Sequence, residues 1–305
     1  MSGRVALVFP GQGSQRVGIF VDVPELDALS WLLDAAEALS GYDLRALSET
    51  GTPAELADTR VAQPLLYLAD WAWGTTIVES GVEPVAVAGH SLGELAALAV
   101  AGVFSAEAGL ELVVERSKFM AAAAGKTPGT MSAVLGLEGH VVAETIVDIP
   151  GVWLANDNSA AQVVISGTDD GVAEAATALA AAGAKRVVPL AVSGPFHSPL
   201  MAVAAESFSQ LLEGAAFSNA RFPVLCNAEP TPTTDAEIIR ERLMRQITSP
   251  VRWTETMAQI VSDGPTTIIE CGPGAVLTGL AKRVEGATAV AIESAGLEAV
   301  IEEVL

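Results

Sequence analysis

Cysteine and histidine are scarce in this chain, with two of the first and three of the second in 305 residues. Cys226 and Cys271 have no ligand partners spaced around them, which excludes a disulfide framework and a zinc site. They read as buried reduced thiols, the state the cytoplasm maintains. No His-x-x-x-His or paired acidic spacing offers an alternative metal centre, so no metal and no cofactor is expected. Long apolar runs are also missing. Hydrophobic residues make up 50% of the chain, yet none of their runs approaches the roughly 20 residues that cross a bilayer. The opening run, Met1 to Phe9, is too short for a signal peptide and leads into Pro10-Gly11 instead of a small-residue cleavage site. It reads as a first buried strand. Basic residues are few, 16 against 37 acidic, for a net charge of −21. That balance argues against binding to nucleic acid or an anionic membrane. A soluble, cytoplasmic protein is expected, and any anionic substrate would require a local cluster of basic groups.

No internal repeat or low-complexity linker occurs, and the length suits one large core, or one core with an inserted smaller domain. Strand patterns at 5–9 and 85–88 alternate with helical patterns at 26–39, 54–57, 63–78, 93–101 and 106–124. That alternation predicts an α/β fold with a largely parallel sheet. The rhythm changes between about Thr127 and Val192. Strand 131–137, helix 141–147, strands 152–156 and 162–166 around an Asn-Asp-Asn-Ser turn, helix 171–182 and strand 185–191 follow in order. This β-α-β-β-α-β succession is that of a ferredoxin-like unit. Gly125-Lys126-Thr127-Pro128-Gly129 and Val192-Ser193-Gly194-Pro195 punctuate its ends. The expected division is therefore 1–126 with 193–305 for a large domain, and 127–192 for a small one. Helix 200–212, strand 224–226, helices 236–246 and 251–261, strand 266–271 and a final helix at 276–283 complete the pattern.

Gly89-His90-Ser91-Leu92-Gly93 lies between a short apolar run and an alanine-rich helical one. A strand, a tight Gly-x-Ser-x-Gly turn and a helix would lift the Ser91 hydroxyl out at the end of a sheet, as a nucleophile elbow does. An ordinary capping serine in a glycine-rich turn is the plainer alternative. Acyl transfer through serine also needs two N–H donors aimed at the developing oxyanion. Leu92, following the serine, would supply one. Gln12, in the Gly11-Gln12-Gly13 turn after the first strand, is suited to supply the other. Gly11 and Gly13 fail a dinucleotide fingerprint because Arg16 stands where its third glycine belongs.

Serine needs a neighbouring base. His90 adjoins Ser91 in sequence, so its side chain should point away, and His140 opens a polar helix. His197, held between Pro195 and Pro199, is left as the candidate. Arg116 shares a helical stripe with Leu112 and Phe119 and so faces partly inward. Such an arginine either forms an internal salt bridge or grips a substrate carboxylate with its planar fork.

With Phe9-Pro10-Gly11-Gln12-Gly13-Ser14-Gln15, Gly89-His90-Ser91-Leu92-Gly93 and Pro195-Phe196-His197-Ser198 assembled, the chain resembles the malonyl-CoA:acyl carrier protein transacylases of fatty-acid synthesis. Ala62-Gln63-Pro64, Arg116 to Met120, Asn156-Asp157-Asn158-Ser159, the stretch from Gln246 to Trp253 and Gly272-Pro273-Gly274-Ala275-Val276-Leu277 extend the resemblance over nearly the whole length. It implies an α/β-hydrolase-like large domain and a ferredoxin-like small one. It further implies that Ser91 is acylated, that His197 is its base and then acid, and that the amides of Gln12 and Leu92 form the oxyanion hole. Arg116 would hold the malonyl carboxylate, and the Gln246 backbone carbonyl would orient the histidine in place of a triad acid. Gln63, Met120, Phe196 and Asn158 would line the substrate site, Phe196 limiting room at the acyl α-carbon. The implied partners are malonyl-CoA and acyl carrier protein, and the implied enzyme is a freestanding monomer. Ser117, Ala121, Leu95 and Ala275 depart from residues common in the family, without removing a catalytic group. Both partners are anionic, which makes Lys185, Arg186, Lys282 and Arg283 candidates for a basic rim. Two competing readings are a serine esterase or thioesterase, using one of Asp157, Asp169 or Asp170, and a non-catalytic scaffold that binds carrier protein.

Overall fold

The computed structural model describes residues 3–305, so Met1 and Ser2 of the expected first strand lie outside the described residues. The chain opens with strand β1 (Arg4–Phe9) and helices α1 (Asp27–Ser40), α2 (Leu44–Thr50), α3 (Pro53–Ala57) and α4 (Thr59–Glu79). Strand β2 (Ala86–Gly89), helix α5 (Gly93–Val100) and helix α6 (Ala106–Lys126) follow. Next come β3 (Thr130–Leu135), α7 (Gly139–Ile146), β4 (Val152–Ser159), β5 (Gln162–Gly167), α8 (Asp169–Ala181) and β6 (Arg186–Pro189). The remainder is α9 (Ala202–Gly214), β7 (Val224–Cys226), β8 (Glu229–Thr233), α10 (Ala236–Arg245), α11 (Trp253–Val261), β9 (Thr266–Glu270), α12 (Val276–Ala281), β10 (Ala287–Ala291), α13 (Ile292–Ala295) and α14 (Leu297–Val304).

Two sheets result. The larger has the order β10-β9-β1-β2-β7-β8 and is parallel except for β8 at its edge. β1 lies at its centre, and its Val-Ala-Leu-Val-Phe run is buried on both faces, as a parallel sheet covered by helices requires. Val5, Leu7 and Phe9 pack toward α4, α5 and α6, while Ala6 and Val8 face Trp253 and Met257 of α11. The smaller sheet, β4-β5-β3-β6, is wholly antiparallel. Val134, Val163 and Ile165 on one of its faces pack against Val142 of α7 and Val172 and Leu179 of α8. Met131, Ala155 and Val164 on the other join the main core. The molecule is thus a mixed α/β structure with a parallel-rich sheet and a second, antiparallel one. No helix among the described residues is long and apolar enough to cross a membrane.

Two expectations need correction. Asn156-Asp157-Asn158-Ser159 is not a turn. β4 runs on through Ser159, because Asn156, Asp157 and Ser159 pair with β5 across two register shifts. The helix after Gly272-Pro273-Gly274 is not the last element, since β10, α13 and α14 follow it. β10 closes the edge of the parallel sheet with a mostly alanine sequence whose partner, β9, lies about twenty residues back.

Candidate active site

The ends of β1, β2 and β7 meet at the carboxyl edge of the parallel sheet, the place where open α/β sheets build sites. Beyond β2 the chain turns sharply at Ser91, whose φ of 53° lies in the left-handed region, and enters α5. Gly89 and Gly93 make this turn possible. A Cβ on Gly89 would overlap the carbonyl of Gly93, and one on Gly93 would overlap the carbonyl of Phe9. The Asn227 side chain, just past β7, clamps the turn. Its Oδ1 accepts from the Ser91 amide at 2.7 Å and its Nδ2 donates to the Gly89 carbonyl at 2.6 Å. A non-glycine residue in this conformation stores about 1–3 kcal/mol of strain, held by such contacts.

His197 is the other non-glycine residue with positive φ among the described residues, at 55°. Its Nε2 lies 2.7 Å from Ser91 Oγ. Its Nδ1 is 3.1 Å from the carbonyl oxygens of both Gln246 and Ser249. Carbonyls only accept, so Nδ1 carries the proton and the bare Nε2 accepts from the serine hydroxyl. Burial pushes the His197 pKa down to about 3, helped by the nearby Arg116 and His90, while the two carbonyls work in the opposite direction. The ring is therefore neutral at neutral pH, with Nε2 unprotonated and facing the serine hydroxyl.

Arg116, from the middle of α6, is fully buried. Its Nη1 donates to Gln63 Oε1 at 2.8 Å, and its Nη2 donates to Gln246 Oε1 at 2.8 Å and to Ser91 Oγ at 3.3 Å. No ion pair among the described residues involves it. Burial lowers its pKa to about 10, and the buried Glu94 offsets part of that. A guanidinium surrounded by neutral oxygens is poised for an anion, because its charge is desolvated without a direct counter-charge.

Gln12, Gln63, His90, Ser91, Leu92, Arg116, Met120, Phe196 and His197 line one cavity, which Met131 and Val164 of the small sheet close from the other side. The backbone amides of Gln12 and Leu92 make no hydrogen bond among the described residues, whereas the Gln12 side chain is tied to Ala57 and Thr59. Gln63 Nε2 donates to Thr59 Oγ1 and to the Met120 sulfur. Asn158 does not line the cavity. Its Oδ1 holds His90 Nε2 at 2.8 Å, turning that ring away from the Ser91 hydroxyl toward β4. His140 is exposed on α7, and Lys185, Arg186, Lys282 and Arg283 are exposed outside the cavity. No cluster of three metal-ligating side chains occurs among the described residues.

Several neighbours of the site escaped sequence reasoning, among them Met131 and Val164 of the cavity wall and the hydrogen-bonding residues Asn227, Ser249 and Glu94. Glu94 alone left a signal, as a charged residue in the otherwise apolar and wholly buried helix α5. Asn227 and Ser249 act through a short side chain and a backbone carbonyl, and neither has a local pattern.

Comparison with known proteins agrees with this geometry. Residues 6–295 match the acyl transferase domain family. A malonyl CoA-acyl carrier protein transacylase of Synechocystis sp. is 44% identical over 280 residues, covering 92% of this chain and 93% of the relative. Its Bacillus subtilis counterpart is 39% identical over 286 residues, covering 92% and 90%. Among solved structures, a malonyl-transacylase in complex with a type II PKS acyl-carrier protein superposes with a TM-score of 0.91 at 40% identity, covering 98% of this chain and 99% of that one. The chain belongs to the acyl transferase domain family and, within it, to the malonyl CoA-acyl carrier protein transacylases.

Proposed function

We propose that this protein transfers a malonyl group from coenzyme A to the phosphopantetheine thiol of an acyl carrier protein, through a malonyl-Ser91 intermediate, and so supplies fatty-acid elongation. The observation that carries the reading is one hydroxyl shared by two groups. Ser91 Oγ lies 2.7 Å from the bare Nε2 of a neutral His197 and 3.3 Å from the guanidinium of a buried Arg116.

In the first half-reaction His197 takes the Ser91 proton as Oγ attacks the thioester carbon. The amides of Gln12 and Leu92 stabilise the tetrahedral oxyanion. Collapse breaks the C–S bond, and the departing sulfur of coenzyme A takes the proton from His197. In the second half-reaction the carrier thiol gives its proton to His197 and attacks the malonyl ester, and collapse returns the proton to Ser91. Arg116 holds the distal carboxylate throughout, with Gln63 and Gln246 fixing its fork. An acetyl group would leave that charge unpaired. Phe196, beside the base on the cavity wall, limits branching at the acyl α-carbon.

A hydrolase of the Ser-His-acid kind is the weaker reading, since Nδ1 of His197 meets two backbone carbonyls. Of the acids considered, Asp157 bonds Thr254 instead. At the finer level of fold, we infer an α/β-hydrolase-like large domain of residues 1–126 and 193–305 and a ferredoxin-like small domain of residues 127–192. The strand–serine–helix turn supports the first, and the βαββαβ order with its antiparallel sheet supports the second. Two buried free cysteines support a cytoplasmic location. Mass spectrometry of the intact protein after mixing with malonyl-CoA tests the mechanism. The native chain is expected to gain one malonyl group and Ser91→Ala none, and labelling that survives in the variant would overturn it.

A further inference from the structure

Glu94 is fully buried one helical turn beyond Ser91 and takes no part in the steps above. Its Oε2 accepts from the Asn227 amide at 3.1 Å and from Gln246 Nε2 at 2.8 Å, while its Oε1 has no partner among the described residues. The same Gln246 side chain turns its Oε1 to Arg116 Nη2 at 2.8 Å and also donates to the Ser91 carbonyl at 2.9 Å. One primary amide therefore stands between a buried carboxyl group and the buried guanidinium, with a hydrogen bond on each side. Burial raises the Glu94 pKa, while the two N–H donors on the oxygen facing this amide favour the ionised carboxylate.

Resting on the reading of Arg116 as the acyl-carboxylate grip, we propose that Glu94 is a positioning residue that tempers this grip from behind, through the Gln246 amide, and so sets how tightly the malonyl group is held. A carboxylate in direct contact with Arg116 would occupy the fork and block the substrate. The same charge one amide away leaves Arg116 Nε without a partner among the described residues and the guanidinium without a counter-ion, but opposes the incoming anion, because charges act at longer range in a buried site than in water. A transferase gains from such loosening. Interactions held equally in ground and transition states lower KM without raising kcat, and they slow release of the malonylated product.

The test is the affinity for free malonate, measured by competition against acyl transfer, with acetyl-CoA, whose acyl group bears no charge, as the control. Glu94→Gln keeps the acceptor oxygen and removes the charge, so malonate is expected to bind about tenfold more tightly. The affinity for acetyl-CoA should be unchanged. KM for malonyl-CoA should fall with little change in kcat. Glu94→Asp, which retains the charge, is expected to restore the native malonate affinity. Both readouts are constants of the folded fraction, so partial unfolding does not mask them, and Glu94→Met removes the same charge should the glutamine fold poorly. Unchanged malonate affinity in the charge-free variants would overturn the proposal, as would an equal change for acetyl-CoA. If Arg116→Met instead binds malonate as the native protein does, the reading of Arg116 itself has failed.

Discussion

Replacing Arg116 by methionine separates reading the acyl carboxylate from holding the fold. The structure gives both magnitudes. Burial lowers the Arg116 pKa from its ordinary value to about 10, and at about 1.4 kcal/mol per unit the folded state bears roughly 3 kcal/mol to keep this charge. The folded pKa is depressed, so that cost is fully present at neutral pH and begins to fall only as pH rises past about 10. Methionine removes it but orphans Gln63 Oε1 and Gln246 Oε1, each costing about 1–3 kcal/mol if left dry. The two effects oppose each other, and stability in denaturant should move by no more than about 2 kcal/mol. Activity has no such offset. A malonyl carboxylate buried without its partner loses about 3–5 kcal/mol, so kcat/KM for malonyl-CoA should fall between about a hundredfold and a few thousandfold. Acetyl transfer should change only a few-fold. Steady-state transfer from the two donors to a carrier protein, beside urea unfolding, reads all three numbers. Equal losses for malonyl and acetyl would refute the argument, because Arg116 would then be holding the Ser91–His197 pair and not reading the acyl group.

Further outcomes follow from the same geometry. Gly89→Ala places a Cβ against the Gly93 carbonyl, and with no flexible side chain to yield, unfolding should show a loss above roughly 3 kcal/mol or no folded protein; an unaltered midpoint would mean the elbow is looser than it stands. The folded His197 pKa is depressed to about 3 from 6.5, so the unfolded chain takes the proton first. Its contribution is complete above pH 6.5 and is lost as pH falls toward 3. Between pH 7.5 and 5 the native protein should lose about 2 kcal/mol more than His197→Gln, and parallel profiles would rule out a buried neutral ring. The rate of Ser91 acylation should likewise cross pH 6.5 without a step, and a midpoint there in single-turnover kinetics would contradict the depressed value.

Much of this site was legible in the sequence because each part had a local signature. Ser91 sits in a turn that only glycines at 89 and 93 permit, His197 was left after two other histidines were set aside, and Arg116 is a charge on an apolar stripe. Strands with continuous apolar runs, such as β1, were legible for the same reason. β8 was not, since Glu-Pro-Thr-Pro-Thr has no apolar run and its two prolines argue against a strand. It is tolerated as the antiparallel edge strand, where prolines need not donate to a further neighbour. The Asn-Asp-Asn-Ser segment reads locally as a turn, and only its pairing with β5 and the approach of Val251 make it a strand.

By itself, then, the sequence determined most of the elements and the reactive groups, since periodicity, glycine and proline act over a few residues. The tertiary structure alone decided how those groups are wired. Asn227 and Gln246 reach Ser91 across 136 and 155 residues, Arg116 hydrogen-bonds neutral oxygens of Gln63, Gln246 and Ser91, and Glu94 was set one amide behind it. Such contacts depend on which strand ends meet at one edge of the sheet, and burial turns each of them into a large electrostatic effect by removing the water that would have screened it.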